Sequence, residues 1–144
     1  MRARRTASFD RPYSYPGQTY PAMPIPALVR AVAARASELA GYPFDHCLCN
    51  LYESGDRTTG FHSDSYAELV PDSLIAIASF DSARALVLRA FDRAHRTTYL
   101  LERGSILPIG SRDQEAWQHA VPRMPQAGRR ISLTFRRFRS DAGA

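Results

Sequence analysis

The pattern of apolar and polar residues changes once along the chain, just after residue 40. Between residues 26 and 39 the apolar positions are three or four residues apart, which is the spacing of one helix face. These positions are Leu28, Val32, Ala36 and Leu39. Gly41 follows, and glycine commonly ends helices because it adopts the left-handed conformation without strain. The pattern therefore predicts one amphipathic helix over Pro26–Leu39.

Beyond Gly41 the apolar residues come in short runs that are typical of β-strands. The runs cover residues 46–52, 73–80, 84–91, 96–102, 105–109, 116–121 and 130–138. Short connections rich in Gly, Asp and Ser separate them. One helix followed by seven strands predicts a mainly β fold, and a sandwich, a jelly roll and a barrel all fit this pattern.

The length of 144 residues indicates one domain with an appendage at each end. Residues 1–25 are rich in Pro and Tyr, show no periodicity and are predicted to form an extended arm. The domain would cover residues 26–138, and 139–144 would be a disordered tail. No apolar run is long enough to span a bilayer, and the first residues lack the apolar core of a secretory signal, so we expect no membrane association. Cys47 and Cys49 suit neither a disulfide framework nor a four-ligand zinc site, which indicates reduced cysteines in a cytoplasmic protein.

The charge of the chain favours anionic partners. The net charge is +5, and all 19 basic residues are arginine. They are concentrated near the two ends of the chain, and a basic surface attracts polyanions such as nucleic acid. The alternative is a solvated surface that keeps the protein soluble.

The segment "GFHSDSY" carries the first candidate for chemistry. His62 and Asp64 are two residues apart, so in an extended segment both side chains point the same way. His119, in the apolar-flanked run "WQHAV", is either a third ligand or a packed core residue. Two histidines and one carboxylate on one face of a metal ion leave the opposite face open, which suits non-haem Fe(II) enzymes that bind O₂ and a co-substrate together.

The last predicted strand carries the second candidate. Polar residues alternate there with apolar ones, and the polar set is Arg130, Ser132, Thr134 and Arg136. Buried arginines need anionic partners, and a dicarboxylate such as 2-oxoglutarate would supply them because arginine pairs bidentately with carboxylates. Alternatively, this is an exposed edge strand with solvated arginines.

Four segments in order resemble the AlkB-type Fe(II)/2-oxoglutarate dioxygenases. They are "CLCNLYESGD", "FHSDS", "WQHAVP" and "RRISLTFR", which match the family's N-x-Y, H-x-D, distal histidine and R-x-x-x-x-x-R motifs. The likeness extends from about residue 13 to residue 138. It implies a double-stranded β-helix, a form of jelly roll, with the site in its mouth.

The resemblance also implies residue roles. His62, Asp64 and His119 would ligate Fe(II) and form the catalytic centre, and Arg130 would pair with the distal carboxylate of 2-oxoglutarate. The remaining co-substrate contacts would come from Asn50, Tyr52, Ser132 and Arg136. With O₂, such enzymes oxidise an N-alkyl carbon and yield succinate, CO₂ and formaldehyde.

The substrate is less well marked. Repair members of the family clamp a flipped base with an N-terminal lid, of which Tyr13 and Tyr15 would be a reduced remnant. Tyr66 stands where those members often place an acid. Arg84, with neighbouring arginines, would contact phosphates, or else form a solvated row.

We expect demethylation of N-alkylated bases in nucleic acid, DNA more than RNA, by a monomer. One alternative is a 2-oxoglutarate-dependent hydroxylase or demethylase of a small molecule or protein side chain. Another is a non-catalytic basic β-domain that binds nucleic acid.

Overall fold

Two large β-sheets, a small two-stranded sheet of β3 and β4, one α-helix and two short 3₁₀-helices make up the regular structure of the described residues. The computed structural model describes residues 2–15 and 17–140, without the side chains of residues 2 and 15. The helix α1 spans Ala27–Ala40. The strands are β1 Arg2–Ala3, β2 Arg5–Phe9, β3 Tyr13–Tyr15, β4 Gln18–Tyr20, β5 Ala22–Met23, β6 His46–Tyr52, β7 Arg57–His62, β8 Leu74–Asp81, β9 Arg84–Ala90, β10 Arg96–Leu101, β11 Ile106–Gly110, β12 Trp117–Val121 and β13 Arg130–Arg136.

The two large sheets face each other and enclose an apolar interior. One sheet has the strand order β1-β7-β12-β9-β10, and the other has the order β11-β8-β13-β6-β2-β5. Side chains from both sheets meet between them in one buried cluster, which consists of Tyr52, Ile77, Leu86, Leu101, Ile109 and Val121. This confirms the predicted mainly β, jelly-roll architecture.

Helix α1 covers the outer face of the six-stranded sheet. Ala36 is 1% exposed and packs with buried side chains of that sheet such as Cys47 and Phe135. Gly41 ends the helix with φ of 85°, and its N–H donates to the Ser37 carbonyl at 2.9 Å. The predicted helix is confirmed within one residue at each end.

The predicted apolar face of the helix is wrong in part. Leu28 and Leu39 are 85% and 60% exposed. The residues that pack on the sheet beside Ala36 are Val29, Val32 and Ala33. Helical spacing alone allowed two overlapping faces, and the sheet contacts the one with the smaller side chains.

The sequence pattern missed six strands, which are β7 and the five short strands β1 to β5 of the predicted arm. β2 lies within the predicted arm but pairs antiparallel with β6, and its Ser8 is 0% exposed. β7 carries the mixed sequence "RTTGFH", which lacks a clear apolar alternation.

The predicted C-terminal tail is described only in part. Arg139 donates to the Leu69 carbonyl at 3.0 Å, whereas residues 141–144 of the predicted tail lie outside the described residues. The domain boundary at residue 25 stays a prediction.

No helix in residues 2–15 and 17–140 has both the length and the hydropathy that a membrane span requires. Cys47 and Cys49 lie on β6 as free thiols, and burial raises the pKa of both, that of Cys47 to about 12.

Candidate active site

The structure brings His62, Asp64 and His119 together in the wall of a cavity between the two large sheets. The ligating atoms of the three side chains all lie within 4.8 Å of one another. Asp64 Oδ1 is 3.9 Å from His62 Nε2 and 4.0 Å from His119 Nε2. Ligands on one face of an ion at about 2.0–2.2 Å are roughly 3 Å apart, so an inward movement of about 1 Å by these side chains would place all three on one metal ion.

Strand pairing accounts for how the two histidines meet. His119 of β12 is directly opposite His62 of β7, and the two rings are 4.3 Å apart between centroids. The pairing is irregular between His119 and Val121, which is the register shift of a β-bulge. Bulges often stand next to active sites because they redirect a side chain.

Hydrogen bonds that involve backbone groups orient His62 and the segment that carries Asp64. His62 Nδ1 donates to the Gly60 carbonyl at 2.8 Å, which leaves Nε2 as the lone-pair nitrogen that faces Asp64. After β7 ends, the Asp64 N–H donates to Gln114 Oε1 at 2.9 Å, and Ser63 Oγ donates to the Trp117 carbonyl at 2.7 Å. The segment that carries Asp64 is thus fixed to its neighbours on both sides.

Asp64 is buried, and Arg136 compensates its charge. Arg136 Nε donates to Asp64 Oδ2 at 2.6 Å. Burial alone would raise the pKa of Asp64, but the Arg136 guanidinium and the two histidines outweigh it and hold that pKa well below its usual value. The other oxygen, Oδ1, is buried and has no hydrogen-bond partner among the described residues. A buried carboxylate oxygen without a donor, directed between two imidazoles, fits a metal cation as its missing partner.

Both histidines are in the state that metal binding requires. Burial lowers the pKa of His62, and it lowers the pKa of His119 to about 4, although the Asp64 carboxylate opposes the shift in each. The imidazoles are therefore neutral near pH 7, and a neutral imidazole keeps the lone pair that ligates a metal.

Strand β13 supplies the polar wall of the cavity beside this triad. It is not an edge strand, because it pairs with β6 on one side and with β8 on the other. Its alternating polar residues line the cavity as a set: Arg130, Ser132, Thr134 and Arg136. The cavity encloses about 620 Å³ of space not filled by atoms, including its solvent-facing mouth. The solvated-edge alternative for this strand is wrong.

Arg130 is a buried cation that faces the cavity without a carboxylate partner in the described part of the chain. It is 1% exposed, and its NH2 group donates to Ser79 Oγ at 2.9 Å. Its Nε has no partner among the described residues. Burial lowers the pKa of this guanidinium, which shows how unfavourable its environment is for an uncompensated charge. An anionic ligand in the cavity would relieve that cost.

The other predicted co-substrate residues lie on the same wall. Asn50 and Tyr52 belong to β6, where they are directly opposite Ser132 and Arg130 of β13. Tyr52 Oη lies 2.9 Å from Thr59 Oγ1 of the facing sheet. The structure thus places all five predicted co-substrate residues around one cavity, which the triad also lines.

The predicted substrate residues are not gathered in the same way. Tyr13 lines the cavity, with the Arg136 guanidinium 4.7 Å from its ring centre. The side chain of residue 15 lies outside the described residues. Tyr66 begins a short 3₁₀-helix, Tyr66–Glu68, and is not among the residues that line the cavity. Arg84 is 0% exposed, so its predicted contact with phosphates is wrong.

Among the polar residues of the cavity wall, sequence reasoning missed three: Arg4, Thr59 and Gln114. Arg4 Nε donates to Asn50 Oδ1 at 3.3 Å, and Thr6 Oγ1 donates to the same oxygen at 2.8 Å. The amide nitrogen of Asn50 is then its remaining donor. These residues come from the arm, from β7 and from a 3₁₀-turn, and no motif in the sequence connects them with the triad.

The chain matches known proteins along nearly its whole length. A family model described as the 2OG-Fe(II) oxygenase superfamily matches residues 2–136. The chain belongs to this superfamily. The predicted Fe(II)/2-oxoglutarate dioxygenase family is thereby confirmed, and the family's cofactors are Fe(II), 2-oxoglutarate and O₂.

Curated relatives specify the AlkB-like branch. The chain is 32% identical to the DNA oxidative demethylase ALKBH2 of Mus musculus over 135 residues. The aligned region covers 88% of this chain and 56% of that protein. It is 29% identical to alpha-ketoglutarate-dependent dioxygenase alkB homolog 3 of Homo sapiens over 124 residues. That aligned region covers 79% of this chain and 43% of that protein. The chain therefore spans about half the length of the curated relatives it matches.

A solved structure shares the fold. The structure titled OsALKBH1 superposes with a TM-score of 0.65 and 18% identity, covering 94% of this chain and 78% of that one. At this identity the likeness concerns the fold, and it agrees with the jelly-roll architecture of the two sheets.

Proposed function

We propose that this chain is an Fe(II)- and 2-oxoglutarate-dependent dioxygenase that removes N-alkyl groups from bases in nucleic acid, DNA more than RNA. One observation carries the proposal. The same cavity holds a His-Asp-His triad whose buried Asp64 Oδ1 lacks a donor, and a buried Arg130 that lacks an anion. A divalent cation and a dicarboxylate are the two ligands that satisfy these two groups together.

His62, Asp64 and His119 would hold the metal. When bound, Fe(II) supplies the redox chemistry by which O₂ and a 2-oxo acid oxidise a C–H bond of the substrate. The protein contributes the arrangement of groups. Gly60 fixes the tautomer of His62, and Arg136 keeps Asp64 ionised.

Arg130 would bind the distal carboxylate of 2-oxoglutarate. The guanidinium already lies buried at the inner end of the polar wall, so binding an anion there costs it no further desolvation. Asn50, Tyr52 and Ser132 offer hydrogen-bonding groups along the same wall. Apolar side chains of the facing sheets, such as Ile77 and Leu86, line the cavity and exclude water from it.

Three observations support nucleic acid as the substrate. The ALKBH2 relative is named a DNA oxidative demethylase. The chain is strongly basic, with a net charge of +5. Phe61 precedes His62 on β7, and the guanidinium carbons of Arg89 and Arg96 lie 3.8 Å and 5.7 Å from its ring centre, which forms a basic, aromatic surface. Monomeric state and location in the cytoplasm stay predictions.

The test measures succinate and formaldehyde from purified protein with Fe(II), ascorbate and 2-oxoglutarate. Oligonucleotides that contain 1-methyladenine or 3-methylcytosine should stimulate both products, and matched unmethylated oligonucleotides should not. Arg130→Met should weaken 2-oxoglutarate binding while metal retention stays intact. Succinate that no oligonucleotide stimulates would favour the small-molecule or protein substrate, and no succinate at all would refute both enzymatic functions.

A further inference from the structure

Arg84 is a second buried arginine, and it lies behind the cavity wall. It begins β9 and is 0% exposed. No carboxylate pairs with it in residues 2–15 and 17–140, and its Nε has no hydrogen-bond partner there. Buried charges normally have an ionic partner, because removing them from water is costly. The position therefore needs an explanation beyond packing.

Backbone carbonyls accept hydrogen bonds from the two terminal nitrogens of Arg84, but they do not compensate its charge. Its NH2 group donates to the Arg57 and Pro122 carbonyls at 2.8 Å each. Its NH1 group donates to the Ser54 carbonyl at 3.3 Å. These bonds connect the β6–β7 turn with the end of β12, which makes Arg84 a structural cross-link. A neutral donor could form such a cross-link at a lower desolvation cost.

Tyr52 connects Arg84 with the proposed co-substrate site. The guanidinium carbon of Arg84 is 5.2 Å from the centre of the Tyr52 ring, and that of Arg130 is 5.4 Å from the same centre. The two cations are therefore within about 11 Å of each other, the limit set by adding the two distances. Tyr52 and Arg130 line the cavity, whereas Arg84 does not. Without a ligand, the two cations repel each other across a poorly solvated region.

We propose that Arg84 is a positioning residue that selects 2-oxo acids with a second carboxylate. The Tyr52 ring separates the charge of Arg84 from the cavity. This charge adds to that of Arg130, and together the two cations attract the distal carboxylate of the ligand, which Arg84 itself does not touch. Its contact with Tyr52 also fixes that ring against the site. The inference rests on the proposed function, since it assumes that 2-oxoglutarate binds at Arg130.

The test compares two ligands that differ only at the distal end. 2-Oxoglutarate and 2-oxopentanoate share the 2-oxo acid group and the chain length, but the second ends in a methyl group. Their dissociation constants are measured by calorimetry on the full chain loaded with Mn(II), so that no turnover occurs. The variants are Arg84→Gln, which removes the charge but keeps amide donors for the carbonyls, and Arg84→Lys, which keeps the charge. Arg103→Gln, which changes an exposed arginine in the turn between β10 and β11, is the matched control.

Arg84→Gln should weaken 2-oxoglutarate binding by roughly tenfold, as expected for loss of a unit charge at this range in a medium of intermediate dielectric. Binding of 2-oxopentanoate should change by less than about twofold on the same electrostatic ground. Arg84→Lys should retain most of the preference, and Arg103→Gln should retain all of it. Should Arg84→Gln not fold, Arg84→Met is the second neutral variant.

Equal weakening of both acids by the neutral variant would show that Arg84 acts only as a structural cross-link and would overturn the proposal. Unchanged 2-oxoglutarate binding would overturn it as well. Arg130→Met separates this failure from failure of the proposed function. If Arg130→Met abolishes the preference for 2-oxoglutarate and Arg84→Gln does not, the co-substrate site is correct and the role of Arg84 is wrong. If the wild-type protein shows no preference, both are wrong.

Discussion

Replacing Arg136 with methionine would leave Asp64 as a buried carboxylate without a countercharge. The side chains of Arg136 and Asp64 are 4% and 3% exposed, and the donor–acceptor distance is 2.6 Å. Removing one partner of such a buried pair typically costs about 3–5 kcal/mol. The substitution would also remove the contact between the Arg136 guanidinium and the Tyr13 ring, whose centre is 4.7 Å away. The free energy of this cation–π contact is small enough to be included in the same range. We expect the free energy of unfolding of the metal-free protein to fall by about that amount at pH 7, measured by urea denaturation.

A double-mutant cycle separates the ion pair from general packing. Adding Asp64→Asn to Arg136→Met removes the uncompensated charge, so the double variant should be more stable than Arg136→Met alone by about 1–3 kcal/mol. Thr134→Val, on the same strand and also in the cavity wall, is the control that changes polarity without breaking an ion pair. If the two substitutions at Arg136 and Asp64 are additive within about 0.5 kcal/mol, the pairing that we assign to them is refuted.

Three further predictions follow from other parts of the structure. His62→Ala removes one ligand of the triad, so Mn(II) retention in equilibrium dialysis should drop at least tenfold, and unchanged retention would place the metal elsewhere. Burial and the nearby Arg136 lower the pKa of His46 to about 3, so neutral His46 does not reduce the free energy of unfolding above about pH 6.5. As the pH falls from there toward 3, that free energy should drop by up to about 1.4 kcal/mol per pH unit, because the unfolded chain binds a proton that the folded protein does not. His46→Gln should flatten this pH dependence in urea denaturation, and an unchanged dependence would contradict the assignment. Gly55→Ala would place Cβ 1.8 Å from the Met124 carbonyl oxygen and should lower the free energy of unfolding by about 2 kcal/mol or more. Gly128→Ala is the control and should be nearly neutral, because its Cβ would have its nearest contact at 3.8 Å. Equal effects of the two substitutions would contradict the close approach at Gly55.

The parts of the site that depend on local spacing could be predicted from the sequence. His62 and Asp64 lie on one extended segment, so a separation of two residues places both side chains on the same side. The alternation from Arg130 to Arg136 likewise determines which residues of β13 face the cavity. Both patterns needed only the geometry of one strand.

The parts that depend on long-range pairing could not be predicted. Arg84 resembles any other arginine in its strand, and its burial follows from carbonyls that are up to 38 residues away along the chain. Gln114 accepts from the N–H of Asp64 across 50 residues, and no periodicity indicates that contact. Strand β2 was missed because its neighbour β6, rather than its own sequence, stabilises it.

A crystal structure of the protein grown with Mn(II) and 2-oxoglutarate tests the central claim most directly. We predict an anomalous-scattering peak bonded to His62, Asp64 and His119, and a distal carboxylate paired with Arg130. A peak that lies away from these three side chains, or a co-substrate whose distal carboxylate avoids Arg130, would contradict the account of this site.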